Sequence, residues 1–103
     1  MKLNKEKFLK TELGTHLIEC VTTWNKELTI IGKSSPALPQ SREKYRRALV
    51  TASWCQAQWE VYQLMFKQLY GVDCHFTRTD DYFGIAIDIW NTDFLFKVER
   101  KGE

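Results

Sequence analysis

From Gln40 to Tyr70 no glycine or proline interrupts the chain, and apolar side chains return every three or four residues; directly after Gly71 the spacing changes to alternation. The first pattern is that of a helix and the second that of half-buried strands, so the chain must build helix before sheet. Within the helical run one apolar row is Tyr45, Leu49, Ala52, Cys55, Trp59, Tyr62, Phe66 and Leu69. A second row beside it is Val50, Trp54, Ala57, Val61 and Leu64 with Met65. Only a narrow polar strip, Ser53, Gln56, Glu60, Gln63 and Lys67, is left for water. An arc this wide implies a helix covered on most of its circumference, either by its own domain or by another molecule.

Upstream, Leu9, Leu13, Leu17, Val21, Trp24 and Leu28 form a single stripe, widened by Phe8, Ile18 and Cys20, which predicts one helix over about 4–31. Asn4 suits its N-cap, Glu6 its first turn and Gly32 its end. Gly14 and the pair Thr22-Thr23 weaken the middle, so tertiary packing must hold it. The segment 32–40, which holds both prolines, reads as a loop to a helix over about 40–70. Either Pro39 at the first helical position or Ser41 as cap would start that helix.

Beyond Gly71, alternation predicts strands over about 73–79, 82–89 and 94–100, with turns at Asp80-Asp81 and at Asn91-Thr92-Asp93. The expected fold is therefore a two-layer α+β domain spanning 1–103. Two antiparallel helices, the second long and mostly buried, precede a three-stranded antiparallel meander whose apolar face the second helix covers.

At 103 residues there is room for one core. The N-terminal stretch carries charge in every turn, which fits neither a signal peptide nor an anchor, and no window is apolar enough to span a membrane. Three cysteines, odd in number and far apart, do not form a disulfide framework and read as reduced thiols of a cytoplasmic protein. A formal charge of +2 is too small to argue for nucleic acid by itself. The departure that needs explaining is four Trp in so short a chain, because each large ring requires a core or a partner.

Four groups of residues carry chemistry worth weighing. His16 with Cys20 lie one helical turn apart and Cys74 neighbours His75, which is zinc-ligand chemistry, but unpaired spacing of this kind is usually small buried thiols and ordinary histidines. Asp88 with Glu99 and Lys101 resembles the acid, acid and lysine of magnesium nucleases, although a charged strand edge is the commoner origin of such a tail. No serine elbow, phosphate loop or paired-histidine zinc motif is present, and nothing selects a pair such as Cys74 with His16. The expectation is no cofactor, no metal and no catalysis.

The third group is Arg42, Lys44, Arg46 and Arg47 at the start of the long helix, where cations oppose the helix dipole and would attract phosphate. A local neutralisation by Glu43 is the ordinary explanation. The fourth is aromatic: Trp54, Trp59, Tyr62, Tyr82 and Trp90, with Leu95, exceed what a two-layer core needs and are of the type that dominates protein interfaces. The same rings could simply fill the core of a small chain. The leading expectation is a small interaction or regulatory module, of the kind expected of a bacterial or phage accessory protein, that binds a protein partner or itself as a homodimer. Nucleic-acid association through the basic helix start is the alternative, and a nuclease-like site a distant third.

Overall fold

The computed structural model describes residues 4–88 and 96–99. Two main helices packed together precede a three-stranded antiparallel sheet, the α+β order that the change of periodicity predicts. The helices are α1 (Lys5–Leu9), α2 (Glu12–Lys33) and α3 (Pro39–Tyr70); the strands are β1 (Cys74–Arg78), β2 (Tyr82–Ile87) and β3 (Phe96–Glu99), in the order β1-β2-β3.

The expected first helix is two. Its chain breaks at Lys10–Thr11, where the Thr11 hydroxyl donates to the Phe8 carbonyl at 2.7 Å and accepts from the Gly14 amide at 3.0 Å, so one side chain closes α1 and caps α2. Gly14 is what permits the bend: a Cβ there would collide with the Phe8 carbonyl oxygen. The break swings Phe8 onto the end of α3, edge-on to Phe66 at 5.3 Å and to Tyr70 at 5.7 Å between ring centres. α2 runs past Gly32 to Lys33.

Pro39 occupies the first turn of α3. Ser41 instead ties the connecting loop, its hydroxyl donating to the Ser35 carbonyl at 2.8 Å and accepting from the Ser35 amide at 3.2 Å. At 1.5 Å per residue, α3 is about 48 Å long, which accounts for the 51 Å long axis of the molecule. Gly71, at φ 74°, ends it by turning the chain left-handed into β1.

β1 is one residue shorter at each end than the alternation suggests, and the sheet is covered differently. β1 lies against α3 but β2 lies against α2, so the two helices share the cover that was expected of the second alone. Trp24 of α2 stacks on Phe76 of β1 at 4.6 Å, and Trp59 of α3 meets the same ring edge-on at 6.4 Å. Around this aromatic seam Leu17, Val21, Cys55, Cys74, Ile85 and Ile87 are buried. The β1–β2 turn forms at Asp80-Asp81 as expected, held by Thr79, whose amide donates to the Tyr82 carbonyl at 2.8 Å. The second expected turn lies outside the described residues.

Candidate interaction surface

The wide apolar arc of α3 is split in two. Ala48, Ala52, Cys55, Trp59 and Phe66 are buried against α2, the sheet and α1. The second row is not covered: Val50 is 71% exposed, Trp54 68%, and Val61 and Leu64 58% each, with Met65 also in water. With 3.6 residues per turn the centres of the two rows lie about 160° apart, so the exposed row runs along the back of the helix, away from the domain. A helix mostly buried is thus replaced by one with an apolar face on each side, one filled and one open.

The local sequence explains the open face. Its residues follow one another at intervals of four and three, a seam of the type that lies straight along a helix and meets a second helix. Leu49, Val50, Ser53 and Trp54 form a shallow apolar depression at one end of it. On its far edge Trp54 reaches a cleft between α2 and α3, where the His16 ring stacks on Tyr62 at 5.7 Å.

The candidate aromatics separate accordingly. Trp54 is on the open face. Trp59, 6% exposed, is a core residue, because its position one turn from Cys55 points it at α2 and Phe76; it is not available to a partner. Tyr62 is half-buried beside the core, and Tyr82 sits on the sheet under the Lys97 ammonium, 4.4 Å from its ring centre. Trp90 and Leu95 lie outside the described residues. The aliphatic members of the open row, Val50, Val61 and Leu64, belong to the candidate site as much as Trp54 does; their periodicity was visible in the sequence, but residue type drew attention to the rings.

The other groups do not converge. Cys20, Cys55 and Cys74 are buried free thiols. Burial pushes the Cys20 thiol up to about 11 and the Cys74 thiol to about 12, with Cys55 and the carboxylates of Asp73 and Asp88 adding to the respective shifts. Burial first, then Glu27, raises Cys55 as well. Protonated and enclosed, these thiols are poor nucleophiles and poor metal ligands. Cys20 donates to the Cys55 carbonyl at 3.2 Å, while His75 pairs with Asp88 at 2.9 Å. No group of three or more metal-ligating side chains comes together among the described residues.

Sheet register separates the nuclease-like acids. Glu99 stands opposite Tyr82, so it is six residues along β2 from Asp88, about 20 Å at the rise of an extended strand. Lys101 lies outside the described residues. At the start of α3, Arg42, Lys44, Arg46 and Arg47 are all exposed. Arg47 pairs with Glu43 at 3.0 Å and Arg42 donates to the Pro36 carbonyl at 3.1 Å, so local partners already engage two of the four. No described helix is long and apolar enough to cross a membrane.

No family model, no curated protein and no solved structure matches this chain. The surface of α3 is therefore the most specific guide to what the chain does.

Proposed function

We propose that this chain is a non-enzymatic association module, working among reduced thiols in a cytoplasm, which binds another protein through the outward face of α3. One observation carries the reading: a row of Val50, Trp54, Val61, Leu64 and Met65 stays in water on the side of α3 opposite its core. Five large apolar side chains in register leave on the order of 500 Å² exposed, in the upper range of the largest patch on an ordinary monomer, and a patch of that size is often functional. Exposure of the row does not serve folding, since α3 already buries a complete face without it. An interface gains much of its energy from a few large rings, and Trp54 is the one large ring in this row.

Photo-activatable benzoylphenylalanine placed at Val61 in cells tests the reading, with Gln56 on the polar strip as control. Protein adducts at position 61 that are absent at position 56 are expected; equal labelling at both positions would refute it.

The second reading is nucleic-acid association through Arg42, Lys44, Arg46 and Arg47, supported by the absence of any acidic residue in the first turn of α3. It requires affinity that falls steeply with salt and drops when those four are neutralised. Flat titrations at low salt would remove it.

A further inference from the structure

We propose that the occupant of this face is a second copy of the same chain, its α3 laid antiparallel to the first about a two-fold axis at Ala57–Gln58. The proposal rests on the reading of the outward face of α3 as an association surface. Its first ground is the symmetry of the row. Val50 and Met65 stand equally far from the midpoint between Ala57 and Gln58, and so do Trp54 and Val61. Reversing the helix about that midpoint therefore lays Val50 on Met65 of the second copy and Trp54 on Val61, each pair occurring twice. A two-fold interface demands self-complementarity of this kind, and a row spaced by alternating four and three supplies it on reversal. Ala57, the smallest member of the row, and Gln58 flank the axis, where two packed helices approach to about 8–10 Å.

The second ground is size. Two copies covering one another remove roughly 1,000 Å² of apolar surface from water, where specific interfaces begin.

The third ground is charge. Parallel pairing would set Arg42, Lys44, Arg46 and Arg47 beside their own copies, whereas antiparallel pairing places the two clusters at opposite ends. Arg46 of one chain would lie about 35 Å along the axis from Arg46 of the other, several times the screening length of about 8 Å at physiological salt. The like-charge cost falls on the parallel arrangement alone.

Disulfide trapping distinguishes these arrangements. Val50→Cys and Met65→Cys are prepared separately, oxidised alone and as an equal mixture, and compared on a non-reducing gel. The native thiols are buried, and the wild type under the same oxidant is the control for them. The expected result is a dimer of about 24 kDa, twice the 12.2 kDa chain, at least tenfold stronger in the mixture than in either variant alone. A dimer from Val50→Cys alone would mean parallel pairing and would overturn the proposal. No dimer in any lane, with Val61 still labelling a different protein in cells, would overturn the second copy and leave the association surface standing. No dimer and no Val61-specific adduct would overturn both.

Discussion

Trp54 and Trp59 lie on the same helix five residues apart, yet their replacement by alanine should have very different consequences. Trp59 is 6% exposed and its ring contacts Trp24 and Phe76, so Trp59→Ala removes a fully packed ring and leaves a cavity at the junction of both helices and the sheet. Substitutions of that kind cost about 3–5 kcal/mol. Trp54 is 68% exposed, so only about a third of its surface is covered by its own chain; scaled by that fraction the loss is about 1 kcal/mol, offset by the few tenths that alanine gains in a helix. For a chain of this size 1 kcal/mol moves the melting midpoint by about 4–8 °C. Trp59→Ala should therefore lower Tm by 12 °C or more, and Trp54→Ala by less than about 8 °C. Circular dichroism melts in dilute solution, where association does not contribute, measure both. Equal losses from the two variants would place Trp54 in the core and refute the assignment of its face to a partner.

Glycine substitutions should differ in sign. Gly14→Ala, despite a better helix former, should destabilise by about 1–3 kcal/mol because its Cβ meets the Phe8 carbonyl, whereas Gly32→Ala has open space and should stabilise by up to about 1 kcal/mol; urea midpoints decide both. The buried thiols give stability an alkaline limit. Their folded values are raised above the ordinary value near 9, so the folded chain holds protons that the unfolded chain releases. Their contribution is complete below about pH 9 and falls as pH rises towards 11–12; the urea midpoint should drop over that window, and less so in Cys74→Ala relative to its own value at pH 7. An unchanged alkaline loss in that variant would exclude the Cys74 thiol as a cause. His75→Ala should change stability by less than about 0.5 kcal/mol, since its pair with Asp88 is exposed on both sides.

The order of elements was legible because periodicity records which faces meet an apolar neighbour. The β1–β2 turn was equally open to reading, since Asp80-Asp81 acts through local chemistry, whereas Pro39 and Ser41 stood as alternatives for the start of α3 until the bonds of Ser41 to Ser35 placed it in the loop tie. Breaking the first helix was not: a stripe through Phe8, Leu13 and Leu17 looks continuous, and only the close approach of Phe8 to Gly14 reveals the bend. The sharing of the sheet between α2 and α3 depends on Trp24 stacking on Phe76 across 52 positions of sequence, a pairing that no local pattern encodes. Most consequential is the arc of α3. Taken as neighbours the two apolar rows make one broad buried surface, but at about 100° per residue they lie nearly opposite, and whether the second is covered depends on how many elements remain to cover it. With α2, the sheet and α1 all gathered on the Trp59 side, the Trp54 row is left in water.

The mass of the wild type and of Val61→Asp by light scattering on a sizing column, over a range of loading concentrations, tests the role of that row most directly. An exposed aspartate at position 61 leaves the core intact, so both proteins should melt alike when dilute. The wild type should rise from 12.2 kDa towards about 24 kDa with concentration while Val61→Asp stays at the monomer mass. A wild type and variant of identical mass at every concentration would contradict self-association through that row.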